Sequence, residues 1–442
     1  MGKVEDKKHI TGGETDGGIT SSYATDDGVQ LKVPYAFMGS IYDEAEEKAV
    51  LEAMKQDTLT MGPKVAEFQK KYAEMCGVKH AFAVTNCTTG MHVATQLFDI
   101  KEGDEVIVTP NTFIATSLVI LKEKGIPVYA DIDPKTYNID PKSVAEKVTD
   151  KTKAIYVVHY GGQMVDMDPI MEIAKKHNLY VLEDCAHAHG AEYKGKKAGS
   201  IGDIGVFSFH SLKNLTTCGE GGMITTNNDQ FAEGIESLRC MNLTTWNANQ
   251  TEWTFGEHTL KKQSELDYWI PSHFDVEPWN GHWGNNYRMN EIQAAVGIVQ
   301  LDKLDMLTEK RREIAHKITE GLQGIKGITP VYEADYGKHV FHLYTLAVEE
   351  EELGDSRDDY LRVLYREEGI QGILHYQPTF HLSGLAKMGY DQNQCPIATK
   401  FFYKRELNLP MHPRLTDKDI ELMVQGIKNA AEKVKKKDSA IV

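Results

Sequence analysis

Between Val33 and about Gly324, short apolar runs alternate with longer segments whose apolar residues recur at helical spacing. Ala81 to Val84, Glu105 to Val108 and Ala154 to His159 read as strands. Pro169 to His177 reads as an amphipathic helix and is followed by a strand, Leu179 to Leu182, while another helical pattern starts near Met91. Apolar strands separated by such helices imply parallel βαβ units with helices on both faces of one sheet. Past Ile325 the pattern changes. A strand-like Val340 to Val348, a helix near Asp358 to Glu368, an extended Gln371 to His375 and a last helix from Asp417 predict a smaller α+β unit. The expected organisation is a large α/β domain over residues 33–325 and a small domain over 326–442. Residues 1–32, rich in Gly, Asp and Thr, read as a flexible or loosely docked extension. There is no internal repeat.

Composition narrows the function classes. A chain of 442 residues is too long for one ordinary core, and 41% hydrophobic with 26% charged residues is a common globular balance. The net charge of -16 argues against a nucleic-acid surface, and the one basic run, Lys433 to Lys437, suits a solvated helix end. No stretch is long and apolar enough for a membrane span, and residues 1–32 are too polar for a signal peptide. Six cysteines without paired or metal-type spacing fit reduced thiols in a cytoplasm. His187-Ala-His189 invites a metal reading, but an Asp precedes it and no Cys/His cluster accompanies it, so no metal is expected.

Candidate chemistry centres on Lys213, six positions before Gly219-Glu-Gly-Gly222 and set among small, hydroxylic and apolar residues. In a partly dry pocket a lysine loses its proton more readily and becomes a Schiff-base candidate; the alternative is a solvent-facing lysine beside a glycine turn. Tyr180 to Asp184 reads as a buried strand ending in a carboxylate, where ligands lie in parallel α/β sheets, and Asp184 suits either a pyridinium nitrogen or the cap of a following helix. Thr88 and Thr89, between strand and helix, offer hydroxyls and free N–H groups to a phosphate, or plain N-capping. Phe113, after the strand ending at Val108, suits stacking on a ring or a place in the core.

Together these segments resemble the DegT/DnrJ/EryC1/StrS family of sugar aminotransferases, over about Val33 to Asn429. The likeness lies in Met61-Gly-Pro-Lys-Val-Ala-Glu-Phe, Glu183-Asp-Cys-Ala-His-Ala, Phe207-Ser-Phe-His-Ser-Leu-Lys-Asn, Gly219-Glu-Gly-Gly222, Asn286-Tyr-Arg-Met-Asn-Glu-Ile-Gln-Ala-Ala, His375-Tyr-Gln-Pro and Leu409-Pro-Met-His-Pro. The resemblance implies the pyridoxal 5'-phosphate transferase fold of type I, with a large, mostly parallel sheet and a smaller C-terminal domain that closes over the active site. It implies that Lys213 bonds the cofactor and shuttles protons, that Asp184 faces the pyridine nitrogen and that His187 lies near the ring hydroxyl. By the same likeness Thr88, Thr89 and Ser208 contact the phosphate, Phe113 stacks on the ring, and His375 and Tyr376 lie toward the substrate. Asn286 would reach the phosphate of the neighbouring subunit's cofactor, which implies a homodimer with shared sites.

The implied reaction moves an amino group from glutamate or glutamine to a keto sugar, nucleotide-linked. A keto-inositol is the near alternative. Relatives that are sugar dehydratases have lost the lysine, whereas Lys213 is present, and the set of Lys213, Asp184 and Thr88 argues against a non-catalytic binding protein. One region departs from the family pattern: all five tryptophans, Trp246, Trp253, Trp269, Trp279 and Trp283, fall within residues 241–284. Leading to Asn286, this insertion is expected near the substrate entrance or the subunit interface, with interface packing ahead of ligand stacking.

Overall fold

The computed structural model describes residues 23–24, 28–36, 38–245, 252–255, 258–261 and 274–438. Seven strands form the central sheet: β1 (His80–Val84), β2 (Glu105–Val108), β3 (Ile126–Tyr129), β4 (Thr152–Val158), β5 (Tyr180–Asp184), β6 (Ile204–Ser208) and β7 (Gly222–Thr226). Their spatial order is β1-β7-β6-β5-β4-β2-β3. From β6 to β3 all neighbours are parallel, and only β7 runs against its partners β6 and β1. This is the expected α/β class with a large, mostly parallel sheet flanked by helices. Alternate residues of each strand feed two cores: Val181 and Phe207 belong to one, Leu182 and Val206 to the other.

The longer helices among the described residues are α1 (Glu44–Ala53), α2 (Pro63–Cys76), α3 (Cys87–Leu97), α4 (Ala115–Lys122), α5 (Pro141–Lys147), α6 (Met167–His177), α7 (Asp229–Arg239), α8 (Glu291–Leu322), α9 (Arg357–Arg366) and α10 (Asp417–Asp438). α3 starts at Cys87, four residues before the expected Met91, because Asn86 and Thr89 form a reciprocal capping box. A first turn that is polar hides a helix from a reading based on apolar spacing. The 32 residues of α8 bridge two cores: Ala294, Ile298 and Leu304 lie in one sheet-face core, while Ile314, Ala315, Ile318 and Leu322 lie in a third.

That third core belongs to an antiparallel sheet of β8 (Ile328–Thr329), β9 (Tyr344–Val348) and β10 (Glu406–Leu409), covered by α9 and α10. Val33 joins it, pairing with Ile370 and donating its N–H to the Gly369 carbonyl at 3.1 Å. β9 starts at Tyr344 rather than Val340. The Val340 and Leu343 N–H groups are taken by the carbonyls of Gly162 and Gly161, at 3.0 and 3.1 Å, so this stretch ties the two sheets together instead of extending a strand. Gln371 to His375 is extended, with a single bridge from Ile373 to Asn408.

Residues 1–22 of the N-terminal extension lie outside the described residues, as do Trp246, Trp269 and the side chain of Trp253. Trp279, half-buried, packs against the core beside Gly234, where even a Cβ would come within 3.0 Å of the indole, and Trp283 is 64% exposed. Among the described residues no helix is long and apolar enough to cross a membrane. All six cysteines are free thiols, five of them buried.

Candidate active site

The parallel strands β5 and β6 end side by side, with Val206 opposite Asp184, so the chain leaving each strand enters the same space. Lys213 follows β6 on a turn closed by its own N–H to the His210 carbonyl, at 2.8 Å. Its side chain is half-buried. Burial holds the amine down to about 8, against the opposing pull of the Asp184 carboxylate and Cys87. The Lys213 backbone is pinned from the other side by Gly39, which donates to the Ser211 carbonyl at 2.8 Å and approaches so closely that a Cβ would sit 2.3 Å from the Lys213 oxygen. A small cavity of about 50 Å³ opens here, lined by Lys213 together with Tyr35, His342, His375 and Tyr376.

Asp184 is buried, and no helix follows β5 directly, so the capping alternative fails. Its Oδ2 accepts from the Thr116 hydroxyl at 2.9 Å and its Oδ1 from the Ala186 N–H at 3.1 Å. Burial raises its pKa in spite of these donors. His187 is buried and held well below its ordinary range by desolvation and by nearby Lys213. Its Nδ1 accepts from the Gly161 N–H at 3.3 Å, its Nε2 meets the Tyr376 hydroxyl at 3.2 Å, and its ring lies 4.2 Å from that of His342. Tyr376 also packs edge-on against Phe113, which is otherwise 61% exposed at the mouth of the site. His375 is half-buried and pushed down to about 4 by burial and then by Lys213.

The two threonines differ. The Thr89 hydroxyl donates to the Asn86 carbonyl at 2.8 Å and its N–H to the Asn86 side chain at 2.9 Å, so it serves the cap of α3. The Thr88 hydroxyl makes no hydrogen bond among the described residues and stands on the open first turn. Ser208 is buried at the end of β6, where its Oγ accepts weakly from the His210 N–H at 3.4 Å. The glycine run lets chain meet chain: a Cβ on Gly222 would lie 2.5 Å from the Asn86 carbonyl carbon. Asn286 is exposed, paired with Cys240 and hydrogen-bonded to Arg288 Nε at 3.0 Å, and no described contact joins it to Lys213, Asp184 or Thr88. Lys213, Asp184, His187, His375, Tyr376 and Phe113 are thus brought together in one chain, and Asn286 is not.

Thr116 and His342 escape a reading of the sequence. Thr116 lies one helical turn after Phe113, a spacing that could have flagged it, whereas His342 arrives from the loop before β9. His159, Glu183 and Cys185 bring potential metal-binding atoms together. Val165 N–H already occupies His159 Nδ1 at 3.1 Å, and Nε2 bonds Glu183 at 3.0 Å, which makes this group part of the packing.

The sequence profile of the DegT/DnrJ/EryC1/StrS aminotransferase family matches residues 40–428. The spore coat polysaccharide biosynthesis protein SpsC of Bacillus subtilis is 37% identical over 402 residues, covering 90% of this chain and 96% of that one. GDP-perosamine synthase of Caulobacter vibrioides is 36% identical, covering 87% and 95%. An aminotransferase structure from Psychrobacter cryohalolentis superposes with a TM-score of 0.79 at 31% identity, over 91% of this chain and all of that one. With the lysine and carboxylate in place at the strand ends, the chain belongs to the DegT/DnrJ/EryC1/StrS family and is a pyridoxal-phosphate-dependent aminotransferase.

Proposed function

We propose that this enzyme moves an amino group from glutamate or glutamine to the ketone of a nucleotide-linked sugar, with Lys213 as the proton carrier. The observation that carries this is an amine held down to about 8, on the turn that follows β6, and a buried carboxylate at the end of the adjacent parallel strand β5. Such an amine exchanges protons with substrate near neutral pH. Pyridoxal phosphate, when bound, supplies an aldehyde that captures amines and a ring that accepts electrons. The residues present suit it. Lys213 would bond it, Asp184 would hold its ring nitrogen protonated, and His187, kept neutral, would offer a hydrogen bond without adding charge. The unengaged Thr88 hydroxyl and the start of α3 would hold the phosphate, because unpaired N–H groups and the helix dipole favour an anion there. Thr89 would act on that anion only through the cap. Phe113 would border the site through its contact with Tyr376, and His375, which lines the same cavity as Lys213, would offer a polar group to substrate.

The names of GDP-perosamine synthase and SpsC support a sugar acceptor, the first of them a nucleotide-linked one. The test is amino transfer. The enzyme is loaded with amino groups from glutamate or glutamine, then offered keto sugars with and without a nucleotide, and keto-inositols. A return of the lysine-bound cofactor's absorption only with nucleotide-linked sugars supports the reading, and return with keto-inositols alone overturns it.

The exposure of Asn286 and its separation from Lys213 support a site shared between two copies. Inactive Lys213→Ala subunits mixed with subunits carrying Asn286→Glu should then regain activity, up to intact function in half the sites of each heterodimer. No gain over the separate variants, with heterodimers confirmed, would place Asn286 in its own chain's site.

A further inference from the structure

We propose that Glu406, on β10 of the small sheet, is a positioning residue for the active site, acting through the backbone of His375 and the hydroxyl of Tyr376 on His187. The inference rests on the aminotransferase reading and extends it to a residue outside the lysine pocket. Glu406 is fully buried, an unusual place for a carboxyl unless its bonds are needed. Its Oε1 accepts from the His375 N–H at 2.7 Å and from the Asn408 side-chain amide at 2.6 Å, and lies 3.3 Å from the Tyr160 hydroxyl. That hydroxyl donates to the His375 carbonyl at 2.5 Å. Both polar groups of the His375 backbone are therefore fixed, one by the small sheet and one by the loop after β4.

This clamp sets the direction of the next side chain. Tyr376 leaves a fixed backbone and brings its hydroxyl to His187 Nε2, at 3.2 Å, while its ring lies near Phe113. His187 is tied from its other nitrogen to Gly161, the residue after Tyr160. A closed circuit results: Glu406, His375, Tyr376, His187, Gly161, Tyr160 and back to Glu406. It crosses from the small sheet to the large one, so the relation between the sheets is read directly at the ring of His187. Burial pushes the Glu406 carboxyl up to about 8, so near neutral pH it is uncharged and glutamine is its nearest replacement. Oε2 makes no hydrogen bond among the described residues, so an amide nitrogen there displaces none.

The test compares Glu406→Ala with Glu406→Gln, by kinetics in the loaded enzyme and by histidine-ring NMR in the cofactor-free protein. For Glu406→Ala we expect kcat to fall about ten- to a hundredfold, with KM for the keto sugar changed far less, as a small misplacement of reacting groups does. The His187 ring signal should move as it does in Tyr376→Phe. Glu406→Gln should recover most of the rate and the wild-type His187 signal. Should Glu406→Ala not fold, Tyr160→Phe is read in the same way, since it removes only the hydroxyl bound to the His375 carbonyl. A folded Glu406→Ala or Tyr160→Phe protein with an unmoved His187 signal overturns the proposal, as does a lowered melting temperature with normal kcat. If the wild-type enzyme transfers no amino group, the functional reading fails, and the His187 signal still decides whether Glu406 positions that ring.

Discussion

The two faces of the central sheet meet at consecutive residues of β5, and they treat a carboxylate in opposite ways. On one face Glu183, fully buried, accepts N–H bonds from Gly199, Ile201 and Gly202 at 3.0, 2.8 and 2.7 Å, as well as from His159. Burial works against the charge there, but His159 and the backbone donors outweigh it and the pKa is lowered. On the other face Asp184 has one hydroxyl, one N–H and a distant Cys87 thiol at 3.9 Å, burial wins, and the pKa is raised. The strand's two-residue period thus separates a carboxylate satisfied by its own chain from one left wanting a cation. Only the second is suited to a ligand.

The contrast is strained hardest by removing the amine whose charge acts on Asp184. Lys213→Ala should lower amino transfer by at least about 10⁴-fold, since both proton transfers lose their carrier, and leave the melting temperature unchanged or raised. Turnover with a normal lysine-bound cofactor band would remove Lys213 from the mechanism. Asp184→Ala comes next, with a loss of about 10³-fold in rate at little cost in stability. The sign is testable in the cofactor-free protein. Because the folded pKa of Asp184 lies above its unfolded value, its contribution is full in acid and is lost as pH rises through the raised folded pKa. A variant that shows near-normal turnover would place the essential carboxylate elsewhere.

Glu183→Gln should do the reverse. It breaks a fully bonded buried carboxylate, costing about 3 kcal/mol of stability, while turnover per folded molecule stays close to normal. The stability that Glu183 supplies is present above the ordinary carboxylate range and lost as pH falls through its depressed folded value. Denaturant melts against pH, for this variant and for Asp184→Ala, should diverge at opposite ends of the scale, and parallel curves would refute the contrast. The smallest effect expected is for Thr116→Val. Losing one hydroxyl from Asp184 should cost about tenfold in rate with the fold intact, and an unchanged rate would show that Thr116 only packs.

How much of the fold and site is legible in the sequence depends on how far each contact reaches. The strand Tyr180 to Asp184 and its terminal carboxylate follow from apolar spacing, and Lys213 follows from the small residues around it. The start of α3 is misread by four residues, although Asn86 followed three positions later by Thr89 is itself a capping signal. Glu406 and His342 carry no local signal. One meets Tyr160 across 246 positions and the other Asn214 across 128, and only the folded sheets bring them together. Within the tryptophan-rich stretch, Trp279 packs half-buried against the core beside Gly234 while Trp283 is exposed, a difference that composition alone does not reveal.

Gly39 lies pressed against the Lys213 carbonyl, and its own carbonyl is held by Arg311, whose guanidinium also grips the carbonyls of Phe341 and Met411. Arg414 takes the neighbouring carbonyls of Met38 and Ser40. The floor beneath the lysine is therefore laid by a segment that precedes it in the chain and fastened by residues that follow it, Arg311 and Arg414. A nascent chain that has already delivered every strand of the large sheet still has an unfinished pocket until residues beyond 411 emerge from the ribosome. Synthesis order thus leaves the surroundings of the reactive amine unfinished until Arg414 has been made, and a chain cut before that residue would carry the lysine without this fastening.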